Sequence, residues 1–435
     1  MKFSARLVLI PVLLAGVAVP AAALPAAADS GPGAVPVLTA GNGPADKNAV
    51  VAVRPTANGQ VTPVQIGDAR LTDYDAGGGH ALLSGRSANG LQNAGELKAG
   101  DVIASPATAA VPHGALVRVV AVHPQAGGAV RLDTTRANLT ELLGDAKADL
   151  RTPLTAADLK AKSLAKGGHA SVGESNGRGI RIDVNVPMPS GVTPTQGHAS
   201  ALSGWLELRP ELLFAYERAH WYSVAPSKAK IGFASDYNYG FAAHAEGSAS
   251  YDTGHRPLHI PAAEVDVNKT VWLGPVPIVL NLKVDYFYDI SANGKITIDA
   301  EQRTDGRLEV GGVYDANRGW TALSGPDPVS TGTAARIEGS ATAKSGVGTH
   351  TQVGLYGSVG VTADFMPYLK ADAHGFTGSE QPQGSEADWA LYAGTDLTGT
   401  FFAKLNVFGT KVLDKSWNFP AVNFERKLAG SDSGH

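Results

Sequence analysis

The second half of this chain alternates apolar and polar side chains with a period of two. From Leu282 to Ile290, leucine, valine, tyrosine and isoleucine alternate with lysine, aspartate and phenylalanine. Because successive side chains of a β-strand point to opposite faces, this period indicates a strand with one buried face. The same period recurs in residues 180–186, 202–208, 353–365 and 397–407. These runs exceed the usual strand of about 5–6 residues, so they predict a large antiparallel β-sandwich or an open barrel-like domain.

The composition agrees with a mainly β protein. Glycine accounts for 52 of the 435 residues and charged residues for 17%, which favours turn-rich β-structure over helix bundles. The chain contains no cysteine, so burial and hydrogen bonding must hold the fold without disulfides. The length fits two domains, because one hydrophobic core rarely extends beyond about 250–300 residues.

The N-terminus resembles a secretory signal peptide. Lys2 and Arg6 precede an apolar run, and three alanines end at Ala28, after which we expect cleavage. The run is shorter than the roughly 20 residues of a membrane-spanning helix, and no later segment reaches that length. We therefore expect a secreted or extracellular protein without a transmembrane segment after signal cleavage, whose attachment to the cell surface, if any, is non-covalent.

The net charge of the cleaved chain indicates which classes of partner it can bind. Cleavage after residue 28 moves the formal net charge from -4 to -6, and an acidic chain is a poor partner for nucleic acid. A glycan, a lipid or a protein at the cell surface fits better.

The chain divides by composition into successive regions. After the signal peptide (1–28), the sequence predicts a flexible leader (29–48), a small β-domain (49–143), a helical connector (144–178), a large antiparallel β-domain (179–428) and a flexible tail (429–435). In the connector, Thr155 and Asp158 have the spacing of a capping box, which predicts a helix from Ala156 to Lys166.

Two glycine-containing pairs predict β-hairpins. Gly127-Gly128 separates two apolar runs of the small domain, and Asn293-Gly294 follows the alternating strand 282–290. Asn-Gly favours a two-residue hairpin turn with positive φ at both central positions. We therefore predict that residues 295–300 pair back on residues 282–290.

Three short patterns could carry chemistry. Residues 173–177 match the G-x-S-x-G of a nucleophile elbow around Ser175, but a linker precedes the motif and a strand follows it, whereas the elbow needs a strand and then a helix. His244, Asp252, His255 and His259 could ligate a metal, although Pro257 opposes the helix that would align two of the histidines. Residues 315–319 resemble part of a calcium loop, but a turn closed by its own aspartate explains them better.

Aromatic side chains concentrate at the start of the large domain. Exposed, they could stack on sugar rings or cover an apolar ligand; buried, they form ordinary core, which is the favoured interpretation because aromatic residues are common in strands. The group comprises Trp205, Tyr216, Trp221, Tyr222, Phe233, Tyr237, Tyr239, Phe241 and Tyr251.

Residues 97–143, with GDVIASPATAAVPHGALVRVVAV and TTRANLTELL, and residues 271–288, VWLGPVPIVLNLKVDYFY, resemble uncharacterised exported, β-rich, surface-associated proteins of high-GC bacteria. The resemblance implies an exported location and a β architecture. It implies no catalytic residue.

These observations assign no catalytic, cofactor-binding or metal-binding residue and no cofactor. The leading hypothesis is an exported, non-catalytic, β-rich binding or structural protein whose ligand is a glycan, a lipid or a protein. The alternative is an exported hydrolase of polysaccharide or ester substrates involving Asp236, His244 or Ser175, because carboxylate pairs assembled by a fold leave little trace in a sequence. A third hypothesis is an outer-membrane barrel, whose strands also alternate, but a separate first domain and a hydrophilic C-terminal end argue against it.

Overall fold

The computed structural model describes most of the chain beyond the N-terminal region. The described residues are 37–41, 43–56, 60–64, 66–85, 96–164, 169–175, 179–186, 192–194, 202–218, 226–247, 258–293, 296–339, 341–374, 388–402, 416–418 and 422–430. Most of them lie in antiparallel strands, which confirms the mainly β fold expected from the alternation.

The first strands form a sheet of their own. They are β1 (Val37–Leu38), β2 (Val51–Pro55), β3 (Val61–Val64), β4 (Arg70–Asp75), β5 (His80–Ser84), β6 (Val102–Ser105), β7 (Ala115–Pro124) and β8 (Val130–Arg136). In the described chain, β2 to β8 make a seven-stranded antiparallel sheet, the N-terminal sheet, in the order β3-β2-β6-β7-β8-β5-β4. The hairpin predicted at Gly127-Gly128 is confirmed, because β7 pairs with β8 and Gly128 has a φ of 81° in the intervening turn.

The predicted helical connector is wrong. A one-turn helix, α1 (Leu139–Leu143), precedes it, and the connector itself holds β9 (Lys147–Pro153), a 3₁₀ turn (Ala156–Asp158), β10 (Leu159–Ser163) and β11 (His169–Ser175). The predicted capping box does form, since the Asp158 carboxylate accepts hydrogen bonds of 3.0 Å from the backbone N–H and the hydroxyl of Thr155. It caps only the 3₁₀ turn.

Strand pairing displaces the predicted helix. Residues 159–163 pair antiparallel with residues 263–267, which places Lys160 opposite Asp266 and Lys162 opposite Glu264. The pairing with β16 gives the backbone N–H and C=O groups of this segment their hydrogen-bond partners. The tertiary partner therefore outweighs the local helix propensity of this alanine- and lysine-rich segment.

The remaining strands build two large sheets. They are β12 (Gly179–Val186), β13 (Val192–Pro194), β14 (Leu202–Glu217), β15 (Lys228–Gly247), β16 (Leu258–Leu273), β17 (Val276–Asn293), β18 (Ile296–Asp315), β19 (Gly319–Gly339), β20 (Ala341–Leu355), β21 (Ser358–His374), β22 (Asp388–Phe402), β23 (Ser416–Asn418) and β24 (Val422–Gly430). Among described residues, sheet I has nine strands, β1-β9-β14-β15-β18-β19 with β11, β12 and β13 alongside, and sheet II has eight, β10-β16-β17-β20-β21-β22-β23 with β24 beside β22.

Sheets I and II face each other across an apolar core, as in a β-sandwich. The ring centroids of Tyr237 on β15 and Phe365 on β21 lie 5.1 Å apart, and Tyr286 and Tyr288 of β17 are fully buried. Val102 of the N-terminal sheet belongs to the same apolar cluster, so the core continues between the regions predicted as small and large β-domains.

The predicted core role of the early aromatics is confirmed for the four whose side chains are described as buried. These are Tyr216, Phe233, Tyr237 and Tyr239. Trp205 differs, because it is half-buried on the outer face of sheet I. Trp221, Tyr222, Tyr251 and the side chain of Phe241 lie outside the described parts of the chain.

The hairpin predicted after residue 293 is wrong. Strand β17 pairs with β16 and β20, whereas β18 pairs with β15 and β19. The chain therefore passes from sheet II to sheet I between Asn293 and Ile296. Gly294 lies outside the described residues. Both edges of β17 are occupied by other strands, so no edge remains on which β18 could pair.

A different hairpin interrupts the predicted run 353–365. Strand β20 ends at Leu355 and β21 begins at Ser358, and the two pair directly across the turn. The turn residues Tyr356 and Gly357 have φ values of 47° and 75°, which is the positive φ pair of a tight two-residue hairpin.

The predicted flexible leader is ordered over its described C-terminal part. Strand β1 pairs in parallel with β9, and the N–H of Gly41 donates to the carbonyl of Trp272 at 2.8 Å. At Gly43, a Cβ atom would lie 2.3 Å from the Trp272 indole. We call residues 37–41 and 43 the strap, because they pair with the edge strand β9 and lie against the Trp272 ring.

The two ends of the chain were predicted to be a signal peptide and a flexible tail. The signal peptide lies outside the described residues, so its cleavage stays a prediction. Strand β24 reaches Gly430, two residues into the predicted tail. In the described chain, no helix has the length and apolar character needed to cross a membrane.

Candidate functional site

The outer face of sheet II carries an open groove of about 710 Å³, which we call the outer groove. Its lining comes from β17, β20, β21, β22 and β24. One row of cross-strand partners runs through it, from Asp289 through Gly346, Tyr368 and Gly394 to Glu425. Since directly paired residues point to the same face, the sheet places these side chains on one surface although the sequence separates them widely.

Aromatic rings lie against glycines in the groove. A Cβ atom on Gly394 would lie 2.3 Å from Cζ of Tyr368, and one on Gly348 would lie 2.3 Å from the Phe287 ring. The missing side chains let both rings lie against the backbone of the neighbouring strand. With Met366, these rings give the groove an apolar floor.

Tyr368 is held from two sides. The ammonium of Lys344 lies 3.7 Å from its ring centroid, a cation–π distance, and its hydroxyl donates to Glu425 at 3.0 Å. Burial, aided by the hydrogen bond to Glu425, raises the pKa of Tyr368. The hydroxyl therefore stays protonated and remains a donor at neutral pH.

Four carboxylates form the polar part of the lining, and three of them each pair with one basic side chain. Asp289 contacts His259 at 2.7 Å and Asp364 contacts His350 at 2.6 Å. Asp396 pairs with Lys344 at 2.6 Å. A carboxylate can accept about four hydrogen bonds, so each retains acceptor capacity for a ligand.

The groove is therefore acidic as well as aromatic. Four carboxylates line it against one ammonium group, and Thr398 and Asn423 add a hydroxyl and an amide. Such a surface can accept hydrogen bonds from a hydroxyl-rich ligand and repels anions.

The structure separates the residues proposed for a hydrolase. Asp236 and His244 both lie on β15, eight residues apart in sequence, which corresponds to about 26 Å along an extended strand. Asp236 pairs with Arg307 at 2.8 Å on the outer face of sheet I, and Ser175 ends β11.

The G-x-S-x-G motif occupies a strand end. A strand precedes it, not the linker that the sequence suggested, because β11 runs to Ser175. Ser175 is the register partner of Gly179 in the antiparallel strand β12. The nucleophile elbow requires a helix after the serine, so this motif lacks the elbow geometry.

The proposed metal ligands are also divided. His244 lies on sheet I, 3.7 Å from Glu301, while His259 lies on sheet II, 2.7 Å from Asp289. The apolar core separates the two sheets. Asp252 and His255 lie outside the described residues, and elsewhere in the described chain no three His, Asp or Glu side chains are grouped as metal ligands.

The remaining candidates have structural roles. The Asp315 carboxylate accepts the N–H of Asn317 at 2.9 Å, so residues 315–319 form the predicted aspartate-closed turn. On sheet I, Trp205 lies against Gly240 with the guanidinium groups of Arg181 and Arg303 at 4.7 and 5.5 Å from its ring. Both arginines therefore lie within cation–π distance of the Trp205 ring.

Sequence reasoning missed the outer groove. The alternation places Asp289 on the polar face of its strand, but only the register across five strands brings it to Tyr368 and Glu425. Glycines within alternating strands are the signal that could have pointed to it, since they mark positions where another group approaches the backbone.

Comparisons of the chain with models of protein families, with curated proteins and with solved structures found no match.

Proposed function

We propose that this chain is a secreted, non-catalytic binding protein whose outer groove holds a glycan without acidic groups. The observation that carries the proposal is the combination of an aromatic floor with positioned carboxylates in one open groove. The half-buried ring of Phe287 offers apolar surface to the C–H face of a sugar, and the carboxylates accept hydrogen bonds from its hydroxyls.

The charge and shape of the groove support a glycan over the other ligand classes. Four carboxylates against one ammonium disfavour phosphate-bearing lipids and acidic polysaccharides. An open groove along a sheet can accommodate a chain longer than the groove itself, whereas a lipid tail needs enclosure from water.

Binding to immobilised neutral polysaccharides, with alginate as the acidic comparison, tests the proposal. We expect the wild type to bind at least one of cellulose, chitin, mannan and starch, and not alginate. Phe287→Ala removes the half-buried ring of the floor and should weaken binding at least tenfold.

Trp205→Ala is the matched control. Trp205 and Phe287 both lie against a glycine on the outer face of a sheet, so the two variants remove similar packing, but Trp205 is on the opposite sheet. Equal losses in both variants, or no binding to any neutral polysaccharide, would contradict the proposal. Release of reducing ends from a bound polysaccharide would favour the hydrolase alternative instead.

A further inference from the structure

A second concavity lies where the N-terminal sheet meets the turn between β20 and β21. It has a volume of about 320 Å³, and we call it the turn cleft. Tyr74, the loop 110–114, Arg136 and the turn residues Tyr356 and Gly357 contribute to its walls. The volume falls in the range of about 300–1,000 Å³ that small-molecule sites occupy.

The cleft is lined by one arginine, one histidine and several apolar groups. Arg136 and His113 line it, and no acidic side chain does. Within the described residues, no carboxylate pairs with Arg136. Ala110, Val111 and Pro112 supply apolar surface beside these groups. A guanidinium without a counter-ion in such a cleft is the group that would hold a planar carboxylate by two parallel hydrogen bonds.

A chain of hydrogen bonds fixes His113. The N–H of Gly357 donates to Oδ1 of Asn281 at 2.7 Å, which leaves the Asn281 amide nitrogen to donate to Oδ1 of Asn268 at 2.7 Å. The same Asn268 oxygen lies 3.1 Å from Nδ1 of His113, so Nδ1 must carry the proton. Nε2 of the neutral ring is then an acceptor.

The hairpin turn between β20 and β21 forms the far wall. Tyr356 has a φ of 47°, the one positive φ among described non-glycine residues. Its hydroxyl donates to the carbonyl of Pro277, and burial raises its pKa. This φ belongs to the two-residue hairpin turn that Tyr356 forms with Gly357, and the hydroxyl contact fixes the side chain at the edge of the cleft.

We propose that the turn cleft is a second binding site, which takes a small amphipathic monocarboxylate. Arg136 holds the carboxylate, Nε2 of His113 accepts a hydrogen bond from a neighbouring hydroxyl or amide of the ligand, and the loop 110–112 covers its apolar part. We expect inorganic anions to bind more weakly, because they have no apolar part to bury against the apolar wall. The site is independent of the outer groove, so either proposal can fail without the other.

Saturation-transfer NMR and calorimetry with a panel of small ligands test this site. The probes are benzoate, octanoate and 4-hydroxybenzoate, with benzamide as the neutral isostere and inorganic phosphate as the bare anion. We expect at least one monocarboxylate to bind, and benzamide and phosphate to bind at least tenfold more weakly. Arg136→Gln should weaken carboxylate binding about tenfold or more, because it removes a charge-assisted bidentate contact.

Arg131→Gln is the matched control, since Arg131 is an exposed arginine on the same strand and lies outside the cleft. We expect it to bind like wild type. Ala110→Trp fills the cleft from an exposed position and should abolish binding while Arg136 is retained. Failure of every carboxylate to bind, equal binding of benzamide, equal or tighter binding of phosphate, or equal losses in the two arginine variants would overturn the proposal.

Discussion

Two paired glycines on sheet I give the sharpest test of the described packing. Gly232 of β15 lies directly opposite Gly311 of β18. A Cβ atom on Gly232 would lie 2.6 Å from the carbonyl oxygen of Val310 and 3.2 Å from Cα of Gly311. The atom met is backbone, so no side-chain rotation can relieve the contact.

The distances set the magnitude for Gly232→Ala. The strands must open by about 0.4–0.8 Å to restore a contact of 3.0–3.4 Å. Forcing an extra carbon into a packed interior costs about 1–3 kcal/mol. The lower chain entropy of alanine in the unfolded state returns about 0.4–1 kcal/mol. We therefore expect a net loss of about 1–2 kcal/mol in the free energy of unfolding.

Gly173→Ala is the control, because no heavy atom lies within 4 Å of its added Cβ. It should be neutral or stabilising by up to about 1 kcal/mol. Urea unfolding followed by tryptophan fluorescence measures both variants, with an unchanged m-value confirming that the same surface is exposed. If Gly232→Ala proves as stable as Gly173→Ala, the close approach of β15 and β18 is wrong.

The double variant sharpens this test. Gly311→Ala meets the carbonyl of Ile231 at 2.5 Å and Cα of Gly232 at 2.8 Å, so both substitutions strain the same contact. Once one has opened the strands, the second should cost less than it does alone. We expect a coupling of at least about 0.5 kcal/mol in the double-mutant cycle. Strict additivity would show that the two costs arise separately.

Three further predictions concern charge and the strap. Burial and two neighbouring carboxylates raise the pKa of Asp266. The folded protein therefore loses stability as pH rises and the Asp266 carboxyl ionises. Asp266→Asn should raise the melting temperature at pH 7 and change it little at pH 3. The hydrogen bond from Lys147 lowers the pKa of Glu217, so the stability from this pair is present above the unfolded pKa of about 4.3 and lost as pH falls below it. Lys147→Met should make melting less sensitive to pH between 5 and 3, and an unchanged pH profile would contradict the pair. Gly43→Val should detach the strap, because φ is 63° and Trp272 blocks a Cβ atom, and faster hydrogen exchange at residues 37–41 would report it.

The period of two was sufficient to predict the fold class and the buried face of individual strands. Leu282, Val284, Tyr286 and Tyr288 are all buried, as their alternation requires. The pattern could not give strand partners, because it records which face of a strand is apolar and not which strand lies beside it. The outer groove depends on which strands pair with each other, so it could not be predicted from the alternation.

The leader and the connector show where local composition misleads. Glycine and proline around Gly43 indicated flexibility, but here glycine permits contact with the Trp272 ring. Alanine and lysine between Leu159 and Ser163 indicated a helix, but the lysines face acidic partners across a strand pair. In both segments the deciding partner is distant in sequence, and local propensity carries no information about it.

The Asn293-Gly294 connection shows how a strong local signal can be overruled. Asn-Gly fixes the chirality of a turn, yet a hairpin also needs a free edge on the preceding strand. Strand β17 has none, since β16 covers one edge over residues 276–290 and β20 covers the other over residues 280–293. The chain after Asn293 can therefore satisfy its backbone only by joining the opposite sheet, where β15 and β19 offer edges to β18. Because this crossing leaves β20 to pair with β17, it also sets the register that brings Asp289 beside Gly346 and Tyr368 and so creates the outer groove.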